Sequence, residues 1–163
     1  TKQESERPLE TEELVELGSF GWQKYALAAR GYTSPMHYGM SYTRRLLDGY
    51  REFSSSRNTT ITTHGSLDLA PEARLSINVL HSEDTSQFPG GLTLAQTEQR
   101  RIQAVQSRVV VFEDTVDQVS LDLVGGPYAG LTYLVSAFWS DWTTDSQRSG
   151  LFTLTPSRGM SLL

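Results

Sequence analysis

Cysteine is missing from all 163 residues, which removes disulfides, thiol catalysis and cysteine-ligated zinc from consideration. No window approaches 18 consecutive apolar residues and the mean hydropathy is −0.37, so no segment reads as a membrane-crossing helix. A crossing β-strand stays open, because its signal is alternation and leaves mean hydropathy low. Basic residues number 14 against 19 acidic ones, a net charge of −5, which argues against nucleic acid and the basic stripe it requires. Charged residues make up only 20% and apolar residues 37%, so the chain is neither a high-charge disordered segment nor rich in core. Serine, threonine and 13 glycines fill the gap and favour strands and turns over long helices. Thr1 to Glu10 is polar and acidic, with no apolar h-region and no initiator Met, and reads as an internal stretch of something longer.

Period-two alternation dominates what is present. Met36, Tyr38, Met40 and Tyr42 alternate with His37, Gly39, Ser41 and Thr43. Before them Tyr25, Leu27 and Ala29 share a face; after them come Ile61, Thr63, Gly65, Leu67 and Leu69, then Leu75, Ile77 and Val79, then Val119, Leu121 and Leu123. Glu13 to Leu17 reads as a weaker strand joined to Trp22–Arg30 through Gly18-Ser19-Phe20-Gly21. Leu131 to Trp142 is apolar at both parities, and Gly150 to Leu154 is a short last segment.

Connections alternate as well. Gly31–Pro35, Ala70–Arg74 and Gly125–Gly130 are short; Leu46–Arg57, about Ser82–Asp114 and Asp141–Ser149 are long and polar. In an up-and-down meander this gathers the short turns at one end and the long loops at the other, as in a transmembrane β-barrel. The polar faces carry Ser, Thr, His, Asn and Gly with few long charges, which suits a polar lumen better than the wet face of a sandwich. Within the longest loop, Thr93 and Gln96 fit a capping box opening a helix from Leu94 to about Val105.

The residues at this point resemble a known family, the TonB-dependent receptors of Gram-negative outer membranes, siderophore and ferric citrate receptors in particular. Val15-Glu16-Leu17-Gly18-Ser19-Phe20-Gly21 resembles the first barrel hairpin after the plug domain. Ser41-Tyr42-Thr43-Arg44-Arg45 with Asp48-Gly49-Tyr50-Arg51 resembles the end of the third strand and its loop. Pro89 to Gln96 is similar to the PGGLT-x-AQ loop segment of iron-uptake members.

The resemblance implies an all-β fold, an antiparallel up-and-down meander forming the N-terminal part of a transmembrane β-barrel in a plugged outer-membrane transporter. It divides the chain into a linker from a missing plug domain (1–10), barrel strands with short periplasmic turns and long extracellular loops (11–155), and a truncated tail (156–163). It implies uptake of ferric siderophores or a similar scarce nutrient, location in the cell outer membrane, no cofactor and no enzymatic activity. The partners it implies are TonB through the missing plug and its TonB box, a ferric-siderophore-type ligand, outer-membrane lipid and lipopolysaccharide. Tyr50, Arg51, Phe53, Phe88, Arg100 and Arg101 are the loop candidates for meeting an anionic iron chelate, arginine suiting planar carboxylates. Arg44-Arg45 is a further basic spot for chelate or lipopolysaccharide phosphates. Tyr38, Tyr42, Trp139 and Trp142 are the candidates for the aromatic girdle at the membrane interface.

No catalytic constellation accompanies these. His37, His64 and His81 lie on different strands without ligand spacing, so no metal site is expected. The pairs Glu83-Asp84 and Glu113-Asp114 read as loop solvation rather than acid–base groups. No Gly-x-Ser-x-Gly elbow is present, and Gly90-Gly91 lacks the Gly-Lys-Ser/Thr that a phosphate loop needs. The competing reading of the same composition is a secreted or cell-surface β-sandwich binding module of lectin-like or adhesin type.

Overall fold

The computed structural model describes residues 8–104, 109–128, 131–148 and 153–162. They form one antiparallel sheet whose spatial order is the chain order: β1 (Glu10–Leu17), β2 (Gln23–Thr33), β3 (Met36–Leu47), β4 (Ser56–Ala70), β5 (Ala73–Phe88), β6 (Val110–Tyr128), β7 (Leu131–Arg148) and β8 (Thr153–Leu162). A 3-10 turn at Ser19–Gly21 links β1 to β2, and α1 (Leu94–Gln99) lies between β5 and β6. The all-β antiparallel meander is therefore as expected. The sheet is open: β1 and β8 each pair on one side only among the described residues.

The register sorts side chains into two faces, since directly opposed residues point the same way. One face carries the rows Ala29–Met40–Thr63–Val79–Val119–Trp139, Gly31–Tyr38–Gly65–Ile77–Leu121–Ala137 and Thr33–Met36–Leu67–Leu75–Leu123–Val135. All the alternating apolar sets of β2 to β6 thus meet on one surface. The opposite face carries Ala28–Ser41–Thr62–Leu80–Gln118–Ser140 and Arg30–Gly39–His64–Asn78–Ser120–Phe138. Its polar groups bond laterally: the Ser41 and Thr62 hydroxyls at 2.6 Å, His64 Nδ1 with Asn78 Oδ1 at 2.8 Å, and the Asn78 amide donating to Ser120 Oγ at 3.1 Å. The doubly apolar stretch resolves by parity. Tyr133, Val135, Ala137 and Trp139 lie on the apolar face; Leu134, Phe138 and Trp142 lie on the other.

Among the described residues nothing packs on the apolar face. Met40 is 57% exposed, Leu27 52% and Val135 60%, and Val109 is the one buried apolar side chain among them. The described residues form a single layer, without the second layer that normally covers such a face. Toward the long-connection end the continuous apolar set stops at Tyr25, Tyr42, Ile61, Val79, Val119 and Trp139 on β2 to β7; further along the same face come Arg44, Thr59, His81, Asp117 and Asp141, with Leu46 and Val111 as apolar residues farther out.

Several strands outrun their expected bounds. β5 continues to Phe88 and β6 starts at Val110, so the long connection is 89–109 rather than about Ser82–Asp114. β7 continues to Arg148 through the stretch expected as a long loop, and β8 takes in residues expected as tail. The extensions of β5 (Ser82–Gln87) and β7 (Thr143–Arg148) are polar at both parities, so hydrophobic alternation falls silent while backbone pairing goes on. α1 ends at Gln99, short of Val105, which lies outside the described residues.

At the short-turn end, two tyrosines cover glycines on the strand opposite. Tyr38 lies over Gly31, where a Cβ would stand 2.7 Å from the ring carbon Cζ, and its hydroxyl donates to the Pro8 carbonyl at 2.7 Å. Tyr133 lies in the same way over Gly125. At Gly125 a side chain would displace the Tyr133 ring, the pairing described as aromatic rescue, while at Gly31 it would meet the Pro8 carbonyl even before the Tyr38 ring. Gly125→Val should therefore destabilise the folded protein by about 1–3 kcal/mol, read as a lower urea midpoint. Adding Tyr133→Ala should remove much of that overpacking penalty. An unchanged midpoint for Gly125→Val would mean that Tyr133 does not rest on Gly125.

Candidate functional site at the long-connection end

Connections 18–22, 48–55 and 89–109 leave the same end of the sheet, and the local chemistry binds them together. The 3-10 turn presents the Phe20 carbonyl, which accepts from the backbone N–H groups of Asp48 and Gly49 at 3.0 and 3.1 Å. Phe20 and Tyr50 then meet edge to face with centroids 5.5 Å apart. In the β3–β4 loop Ser54 closes a turn on Arg51, its hydroxyl donating to the Arg51 carbonyl at 2.6 Å and accepting from the Arg51 N–H at 3.1 Å. That turn forces Phe53 to φ 53°, a left-handed conformation seldom adopted outside glycine.

Arg51 is the staple of this end. Its Nη1 donates to the Gly90 carbonyl at 2.9 Å, while Nε and Nη2 both donate to the Gln103 carbonyl at 3.3 and 3.1 Å. One planar fork thus holds both limbs of the β5–β6 loop. Glu52 adds a second clasp: its N–H donates to the Ile102 carbonyl at 2.8 Å, and its carboxylate accepts from the Ala104 N–H at 3.2 Å and pairs with Arg100 at 2.8 Å. Between these anchors the capping box on α1 forms as expected, Gln96 N–H donating to Thr93 Oγ1 and Thr93 N–H donating to Gln96 Oε1.

The loop candidates therefore separate. Tyr50 is exposed at the cluster surface, Phe53 projects from the strained turn, and Arg101 is exposed with no hydrogen bond or ion pair among the described residues. Arg51 faces inward with its donors committed to carbonyls, and Arg100 is held by Glu52. Phe88 is not in the loop: it is the last residue of β5, opposite Val110, on the polar face, meeting Phe112 edge to face at 5.5 Å. Arg44 and Arg45, adjacent in a strand, point to opposite faces and form no two-arginine spot. Arg44 instead shares the apolar side with Arg57, a diagonal neighbour across β3–β4 that sequence reasoning missed. Glu52 and Gln103 were missed too, since no pattern marks a loop residue that bonds another loop.

The aromatic candidates also divide. Tyr42 and Trp139 stand at the long-connection edge of the apolar face and Tyr38 near its other edge. Trp142 stands on the polar face opposite Val116, 52% exposed, and does not share their surface.

What this arrangement offers chemically is a rigid platform with aromatic rings and a cation at its surface. Among the described residues no cluster of three or more His, Asp or Glu is placed to hold a metal ion. Replacing Arg51 with alanine should free both limbs of the 89–104 segment and raise its limited-proteolysis rate by about tenfold, given hydrogen bonds to a charged group of about 1.5–3 kcal/mol. Arg101→Ala should leave that rate unchanged; equal rates for the two variants would show that Arg51 is no staple. No protein-family model, curated protein or solved structure matches this chain.

Proposed function

We propose that this chain is part of the wall of a transmembrane β-barrel, in an outer-membrane receptor of the TonB-dependent class that takes up ferric siderophores or a similar scarce anionic nutrient. The observation that carries the reading is the oblique edge of the apolar face. Leu17 on β1 lies in the row Gln23–Leu46–Arg57–Thr85–Glu113–Asp145. On β7 the apolar set ends at Trp139, six residues before Asp145. Six residues are about 20 Å along a strand, and six strand spacings are about 29 Å. The edge is then inclined to the rows by about 35°, close to the roughly 35–45° tilt of strands in membrane barrels.

A sheet in a flat apolar slab must show this. With tilted strands, the slab's boundary meets later strands at residues shifted toward the short-turn end. Here the whole shift accrues between β1 and β5, while Val79, Val119 and Trp139 share one row. The apolar stretch also has a suitable height: Ile61 to Leu69 on β4 spans about 26 Å along the strand, or about 22 Å after tilt, against an apolar band of about 25 Å. The short turns at 34–35 and 71–72 would be periplasmic and the clustered loops extracellular. There Tyr50, Phe53 and Arg101 are the groups offered to an anionic chelate. Arg44 and Arg57, just beyond the apolar edge, suit lipopolysaccharide phosphates.

Because this chain has no cysteine, single cysteines report cleanly on the two faces. In the intact gene product reconstituted in lipid vesicles, bimane on Leu121→Cys and Val135→Cys should be quenched by brominated lipid tails. On Ser120→Cys and Ser136→Cys it should be quenched by aqueous iodide. A binding module of sandwich type would protect Leu121→Cys from both quenchers, and that outcome overturns the proposal. For the ligand, ferric citrate should quench the intact receptor's tryptophan emission, with affinity about tenfold weaker in Arg101→Ala. Equal affinity would remove Arg101 from the site.

A further inference from the structure

The polar face holds apolar side chains that its lattice of hydroxyls and amides does not explain. Phe138 stands there on β7, opposite Ser120, and Leu80 stands on β5 between Thr62 and Gln118. Two neighbouring rows, Thr62–Leu80–Gln118 and Asn78–Ser120–Phe138, line a hollow of about 280 Å³. All six residues are half-buried, although no other element lies over them among the described residues. Ile77 and Val79, their neighbours on the other face, are exposed. The sheet itself is therefore concave here.

The lining is neutral throughout, with no ionisable residue in it. Asn78 is fixed at both ends. Its Oδ1 bonds His64 Nδ1 at 2.8 Å, and its amide donates to Ser120 Oγ at 3.1 Å, which leaves the Ser120 hydroxyl its own proton to donate. Thr62 is bonded to the Ser41 hydroxyl at 2.6 Å. The Gln118 amide lines the hollow and forms no hydrogen bond among the described residues.

We propose that this hollow binds one ring of a neutral sugar. Such a ring has an apolar C–H face and a rim of hydroxyls, each both donor and acceptor. Phe138 and Leu80 meet the face, while the Gln118 amide and the Ser120 and Thr62 hydroxyls, which also donate and accept, meet the rim. A charged ligand would find no partner for its charge, and burying an unpaired charge is costly. A wholly apolar ligand would cover Gln118 and Ser120 without bonding them, at a similar disadvantage. The volume lies just under the roughly 300 Å³ at which sites for drug-sized ligands begin, so it takes one ring. The second apolar parity of β7 thereby has a use. The site goes beyond the uptake reading, since it needs neither the loops nor closure of a barrel.

The test is saturation-transfer NMR on the intact gene product in a detergent without sugar headgroups, with glucose, galactose and mannose as probes. At least one should receive saturation at its ring C–H protons. Phe138→Leu, which keeps an apolar side chain of similar size, should weaken its binding about tenfold, and Gln118→Ala by a similar factor. Val119→Ala, beside Gln118 but on the other face, should leave binding unchanged. The uronate of the bound sugar should bind about tenfold more weakly than the sugar. No transfer to any of the three sugars, unchanged binding in Phe138→Leu or Gln118→Ala, a matching loss in Val119→Ala, or a uronate held as tightly as the sugar would each overturn the proposal. Lipid quenching at Leu121→Cys reads the opposite face, so the two readings fail separately.

Discussion

An apolar sheet face on which none of the described residues packs sets the terms for everything else in this molecule. Burying a side chain such as Leu27, Met40 or Val135 is worth about 1.5–3 kcal/mol each, and all three stand more than half exposed. A single sheet has no second face to supply that burial, because the other side is a lattice of hydroxyls, amides and imidazoles already bonded to one another. On the barrel-wall proposal a lipid bilayer supplies that apolar surround without needing a second sheet, and the short neutral side chains Ser41, Thr62, Asn78 and Ser120 of the other face would line the lumen.

A layer one strand thick also has to be ordered by its neighbours in sequence. Long-range packing is unavailable, so the devices are lateral. Tyrosines fill the gaps left by Gly31 and Gly125 on the strand opposite, and turns are laced edge to edge, the Asp68 N–H on the Pro35 carbonyl and the Gly126 N–H on the Glu72 carbonyl. The long connections follow the same logic at the other end. Arg51 spends its guanidinium on carbonyls of a loop about forty residues away and beyond, which turns two flexible connections into one surface. A charge used in this way holds the platform and is removed from the set that meets a ligand.

The faces were legible in the sequence because alternation in β2 to β6 is nearly uninterrupted. Met36-Tyr38-Met40-Tyr42 alone gives the parity of β3, and the register extends it across the sheet. Strand ends were not legible. Once β5 passes Leu80 both parities are polar, and pairing with β6 is held by backbone groups that no side-chain pattern records. Trp142 shows a related limit: three residues after Trp139 it looks like its girdle partner, yet a period of two sends it to the other face. The loop candidates were named by residue type. Arg51 and Arg101 are then indistinguishable, and only the positions of Gly90 and Gln103 make one a staple and leave the other exposed.

The oblique apolar edge ties these strands to one another more tightly than their individual hydropathy does. Any one of Leu17, Tyr25, Tyr42, Val79 or Trp139 could end an apolar run by chance. From Leu17 through Tyr25 and Tyr42 to Val79 the edge recedes toward the short-turn end, and Trp139 holds the row of Val79. On the barrel-wall proposal, a planar slab crossing tilted strands produces that overall slope with one free parameter, the tilt, and Glu13, which lies below Val15 on the same face of β1, is the exception to it. The acidic residues past the edge on β5 to β7 and the arginines past it on β3 and β4 would then lie near the level of the headgroups. Side chains that looked like scattered surface charge along the chain would form one layer once the slope is taken out.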